Sequence, residues 1–162
     1  MVAVPQESAM RQIVIFFATA IYTGYAPKAP GTAGSVVGLI LAWAAFAPLW
    51  RESPAAFLLI FVLIFAVSCW IAGAAEKIFD AHDSPHIVID EVLGMIATMF
   101  MNPTAWPYLA GGFVLFRFFD ILKPFPASLI DRRMRGGAGV MLDDLAAGVY
   151  ANIVLQVLRR LL

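Results

Sequence analysis

Residues 54–75, PAAFLLIFVLIFAVSCWIAGAA, decide the fold: 22 consecutive residues carry no charge. An uninterrupted apolar run of this length is what a helix needs to cross a bilayer, because nothing in lipid satisfies a backbone polar group except the helix itself. The rest of the 162-residue chain agrees, with 62% hydrophobic and only 14% charged residues, outside the usual balance of a globular domain. The formal net charge is zero, which gives no electrostatic argument for a nucleic-acid partner. The sole cysteine, Cys69, lies inside the apolar run and excludes an internal disulfide or a cysteine-based metal cluster. It reads as a small buried hydrophobe.

Outward from this run, further segments alternate between apolar and polar. Residues 12–25 are apolar but shorter than a full span, and fit either a short crossing or a helix lying in the interface. Residues 33–50 predict a span that ends at Trp50, Arg51 and Glu52. Residues 87–101 predict another, with Asp90 and Glu91 near its start; Asn102, Pro103 and Pro107 then mark a hairpin, with Trp106 and Tyr108 at the aromatic-belt level. Residues 108–116 return, and Leu145–Leu158 closes the chain as a last apolar helix. The start, MVAVPQESAMRQ, lacks the layout of a signal peptide. The expectation is an all-α, polytopic membrane protein with four to five transmembrane helices, residues 1–162 forming a single domain.

Counting spans puts the turn at Lys28, the polar segment 76–86 and the segment 117–144 on one side. That side carries Lys28, Lys77, Arg117, Lys123, Arg132, Arg133 and Arg135, against Arg51, Arg159, Arg160 and, if the first segment spans, Arg11. The excess of cations predicts that it faces the cytoplasm.

The longest polar run, Arg117 to Asp144, holds both cations and carboxylates and is too rich in proline and glycine to be one helix. Two acidic pairs stand out, Asp90-Glu91 and Asp143-Asp144. A carboxylate at mid-bilayer costs about 2.5–3.5 kcal/mol on insertion scales, so these acids require neutralisation. Either they sit at solvated helix starts, where acids complement the dipole, or they hold a divalent metal. Asp90 is followed at i+4 by Gly94, and Asp144 at i+4 by Gly148. Small residues in those positions allow close helix approach and so predict that the pairs meet. Mg²⁺, which takes one or two protein carboxylates plus phosphate oxygens and water, suits such a site.

The turn KAPGTAGS, residues 28–35, precedes an apolar helix and offers Lys28, Thr32, Ser35 and free backbone N–H groups to an anion, although it is not a Walker A loop. The alternative is a simple turn and N-cap. Asp80, His82, Asp83 and His86 match no standard zinc spacing and read as solvated loop residues. A phosphatase cysteine–arginine loop, an aspartyl-phosphate motif, a Gly-x-Ser-x-Gly elbow and the arginine–serine–histidine pattern of type 2 phosphatidic acid phosphatases are all absent. What remains is metal-assisted attack on a phosphorylated lipid.

Four blocks, KAPGTAGS, IVIDEVLGM, FRFFDILKPFP and GGAGVMLDDLAAG, together resemble the phosphatidylglycerophosphatase A family, in order from about Tyr25 to Asn152. The resemblance implies a Mg²⁺-dependent inner-membrane phosphatase that converts phosphatidylglycerophosphate to phosphatidylglycerol. In that reading Asp90, Glu91, Asp143 and Asp144 hold the metal. Lys28, Thr32, Ser35, Arg117 and Lys123 contact phosphate, Asp120 orients Arg117 or Lys123 or completes the metal shell, and Arg132, Arg133 and Arg135 attract anionic headgroups. Bilayer lipid and a phospholipid substrate are the expected partners; neither nucleic acid nor a protein partner is expected. A small transporter would explain intramembrane acids, and a lipid-binding scaffold would explain the arginines. Neither accounts for both acidic pairs at one face.

Overall fold

The uncharged run forms the longest helix among the described residues, α4 (Pro54–Phe79), in the computed structural model, which describes residues 6–125 and 127–161. Its start follows from the sequence: Pro54 occupies the first turn, where its missing N–H costs nothing, and the Ser53 side chain accepts from the Ala56 N–H at 3.2 Å. It stops at Asp80, a left-handed residue with φ 51°. Outward-facing Leu59, Val62, Leu63 and Val67 are all exposed, as a lipid-facing surface requires.

The other elements among the described residues are all helical. Helix α1 (Gln6–Ala18) is followed by α2 (Pro30–Leu41), which runs through a π turn at 42–46 into α3 (Ala47–Glu52) as one 23-residue helix. After α4 come α5 (Ile89–Met99), α6 (Trp106–Leu122), α7 (Ala127–Arg133) and α8 (Gly137–Leu161). The expected all-α membrane fold is what forms. Three helices, Pro30–Glu52, Pro54–Phe79 and Gly137–Leu161, are long and apolar enough to cross a membrane.

Two shorter helices, α5 and α6, pack against these spans. α5 and α6 turn at residues 100–105, and this hairpin reaches the end of the bundle marked by Arg51, whose Nη2 donates to Thr104 Oγ1 at 2.6 Å. Arg159 donates to the Met101 carbonyl at the same end, at 3.2 Å. α5 has only 11 residues, yet nine are buried, so it lies among other helices rather than against lipid and needs no full span. Phe57 and Phe100 stack there at 4.6 Å, with Trp50 edge-on to both.

Helix α1 ends after 13 residues, because Ala20, Ile21 and Tyr22 all take positive φ. Residues 12–25 therefore do not form one continuous helix, and α1 falls short of the roughly 20 residues a crossing takes. Arg11 sits with Lys77 and Arg135 rather than at the Arg51 end.

Candidate functional site: a buried acidic cluster

Five helix ends converge opposite the Arg51 end: the starts of α2, α5 and α8, and the ends of α4 and α6. The start of α5 is pinned by the Val88 N–H, which donates to the Ala18 carbonyl at 2.9 Å, and this fixes Asp90 and Glu91 in the first helical turn. Asp143 and Asp144 occupy the second turn of α8, which begins after Gly136 at φ 79°. Asp90, Asp143 and Asp144 retain only 6%, 5% and 4% of their accessible surface.

Two glycines bring these helices together. A Cβ on Gly148 would collide with the Gly94 carbonyl, and one on Gly94 would lie 2.8 Å from the Asp144 carbonyl oxygen. Thr98 Oγ1 reinforces the contact, 2.9 Å from the Gly94 carbonyl of its own helix and 3.3 Å from that of Gly148. One turn above this crossing, Asp90, Glu91 and Asp144 each offer a carboxylate oxygen, and all three lie within 4.8 Å of one another.

No lysine or arginine forms an ion pair with these three acids among the described residues. Glu91 Oε2 and Asp144 Oδ2 are buried without a hydrogen-bond partner. Burying crowded carboxylates unpaired is strongly unfavourable, so the arrangement calls for a cation between them. Hard carboxylate oxygens with no nitrogen or sulfur donor suit Mg²⁺ or Ca²⁺ rather than zinc. The residues present thus fit the expected metal.

Asp143 points elsewhere. Adjacent helical residues diverge by about 100°, and Asp143 Oδ2 instead accepts from Lys123 Nζ at 2.6 Å. The four expected metal ligands therefore separate into a group of three and a salt-bridged neighbour, whose Oδ1 is left without a partner. Lys123 caps α6 in the left-handed conformation, φ 43°, which turns its side chain back over α8.

The phosphate-binding candidates also divide. Arg117 Nη1 pairs with Asp120 Oδ2 at 2.6 Å, and Asp120 in turn faces Asp144 and Glu91. Arg117 Nη1 is also 3.4 Å from Ser35 Oγ, whose proton goes to the Gly31 carbonyl at 2.8 Å. Ser35 thus sits beneath Arg117. Gly31 is the point where the KAPGTAGS turn meets the acids: any side chain there would strike Glu91 Oε1 and approach Arg117. Lys28 is exposed on this turn and Thr32 half-buried in the first turn of α2. Arg133 and Arg135 are exposed, whereas Pro126 and the side chain of Arg132 lie outside the described residues.

The loose Asp80–His86 group does not converge on a metal. His82 pairs with Glu76, and Glu76 Oε1 also accepts from the Asp83 N–H at 3.1 Å. The His86 ring bonds to the Gly24 carbonyl at 2.9 Å and lies against Tyr25. Asp83, expected from the sequence to be a solvated loop residue, is exposed and also lines a small crevice with Asp143, Met134 and Gly139. Nothing in the spacing of a polar loop signals that proximity.

The family model for phosphatidylglycerophosphatase A matches residues 16–159. A Haemophilus influenzae protein named phosphatidylglycerophosphatase A is 37% identical over 133 residues, covering 82% of this chain and 80% of its own. Its Escherichia coli namesake is 35% identical over 135 residues, 82% of this chain and 76% of its own. A Bacteroides thetaiotaomicron protein with the provisional name phosphatidylinositol-3-phosphatase is 33% identical over 156 residues, 90% and 92%. No solved structure matches.

Proposed function

The chain belongs to the phosphatidylglycerophosphatase A family, and from that membership and the acidic cluster we propose that it dephosphorylates phosphatidylglycerophosphate with the help of Mg²⁺. It is a phosphatase acting on phosphoric monoesters. The observation that carries the metal reading is the pair of unpartnered buried oxygens, Glu91 Oε2 and Asp144 Oδ2, in a three-carboxylate group.

In this reading Asp90, Glu91 and Asp144 hold Mg²⁺ at the start of α5. Bound there, the ion would supply charge neutralisation for a phosphomonoester that the carboxylates alone would repel. Arg117, held by Asp120 and resting on Ser35, presents its remaining N–H groups to phosphate in a fixed direction. Lys28 and Thr32 approach from the α2 turn, where the helix N-terminus also favours an anion. Lys123 and Asp143 form a charged pair beside the cluster, orienting each other while adding no net charge. Charge placed before the reaction begins costs no reorganisation during it. The diacylglycerol part stays in the bilayer, so only the headgroup need reach this end of the bundle. The lysine and arginine excess at this end supports a cytoplasmic-facing site at the inner membrane, where the product would serve phospholipid biosynthesis.

A transporter would need its acids along a path through the bilayer, whereas the carboxylates here gather at one end and α4 carries none before Glu76. Purified protein assayed for phosphate release should be inactive in EDTA and recover with Mg²⁺. Mg²⁺ should also raise the unfolding temperature of the wild type but not of Asp144→Asn, since a ligand that binds only the native state stabilises it. Full activity in chelator would sink the metal reading. Phosphate release from a phosphatidylinositol phosphate in preference to phosphatidylglycerophosphate would reassign the headgroup.

A further inference from the structure

A second feature lies outside the acidic cluster. Between α1, the last turns of α4 and the turn joining α7 to α8 runs an open groove of about 1100 Å³. Met10, Cys69 and Trp70 give it an apolar wall, while Arg11, Lys77 and Arg135 bring cations from three separate elements to its rim. None of Asp90, Glu91 or Asp144 lines it.

The acids in the groove do not balance these cations. Glu76, engaged by His82 and the Asp83 N–H, and Asp80 set two negative charges against three positive ones, which leaves the groove net positive with His82 neutral. The groove lies where α4, a candidate span, leaves its apolar section. Trp70 is 61% exposed and Met10 55%, so the wall continues into the outward-facing apolar surface. An apolar wall continuous with the lipid-facing surface, topped by cations and bordered by a tryptophan, matches an anionic lipid in both halves. A soluble phosphate compound would use the cations but leave the wall bare; an apolar peptide would do the reverse.

We propose that this groove binds one bilayer phospholipid with an anionic phosphodiester headgroup, its phosphate among Arg11, Lys77 and Arg135 and its chains along Met10 and Trp70. This extends the expectation that the arginines attract headgroups: a diffuse surface attraction becomes a site with a wall. It is independent of the catalytic reading, since none of its residues belongs to the acidic site.

Native mass spectrometry of the full chain in detergent, with added phosphatidylglycerol or phosphatidylcholine, tests it. One phosphatidylglycerol should stay bound under activation that strips phosphatidylcholine. A Lys77→Gln/Arg135→Gln double variant should lower that retention by roughly ten-fold or more, as expected for two surface cations. Arg159→Gln/Arg160→Gln, at the opposite end, should retain it. Cys69, the sole cysteine, reports the location: phosphatidylglycerol should slow its alkylation in the unaltered protein and phosphatidylcholine should not. That measurement still decides if the double variant does not fold. Equal retention of both lipids, equal loss in the two double variants, or alkylation of Cys69 indifferent to phosphatidylglycerol would each overturn the proposal.

Discussion

Gly148 meets Gly94 backbone to backbone, at the crossing that sets Asp144 beside Asp90 and Glu91. The contact is so close that the missing Cβ is itself the structural requirement, and the obstructing atom is a carbonyl oxygen with no rotamer to relieve it.

Gly148→Ala should therefore push α8 away from α5. Overpacking of this kind costs about 1–3 kcal/mol, read as a lower unfolding temperature in detergent, and phosphatase activity should fall with it. Gly111→Ala is the control, because its Cβ would meet only Leu155 Cδ1 at an ordinary 3.5 Å. Equal stability in the two variants would remove the crossing from the account of the site.

This crossing was legible in the sequence, because glycine one turn after each acidic pair carries a geometric meaning in apolar helices. The uncharged run of α4 was legible for an equally simple reason, its length. The division of labour within Asp143-Asp144 was not. Which of two adjacent acids faces the partner helix depends on the rotation of α8, and Lys123 takes Asp143 through a left-handed cap that only the folded backbone reveals. Nor did periodicity foretell that α1 would stop at Ala18, since Ala20, Ile21 and Tyr22 are not residues that usually adopt positive φ.

The proposed orientation rests on charge. Arg11 joins the lysines and arginines at the site end, which strengthens the asymmetry on which a cytoplasmic placement rests. A cysteine replacing exposed Arg133, in a Cys69→Ala background, should react with a membrane-impermeant maleimide only after cells are opened. Labelling of intact spheroplasts would place the acidic cluster on the outer face.

The last prediction separates the three clustered acids from their salt-bridged neighbour. Asp90→Asn and Asp144→Asn preserve shape while removing charge, and should each lower kcat by roughly 10²-fold or more, on the order of 3 kcal/mol in the barrier. If both serve one metal, the double variant should be scarcely worse than either single, because ligands of one site act as a unit. Asp143→Asn should behave differently. It leaves the three-acid group intact and removes the ion pair between α8 and Lys123, so its loss should be matched by Lys123→Met and should not deepen when the two are combined. Arg133→Ala, exposed on α7, should leave kcat nearly unchanged. Two outcomes would redraw the site. Near-wild-type turnover in folded Asp90→Asn would remove it as a ligand. Additive losses in Asp90→Asn/Asp144→Asn would mean that the two acids do not share an ion, and the chemistry would move to Asp120, Lys123 and Asp143.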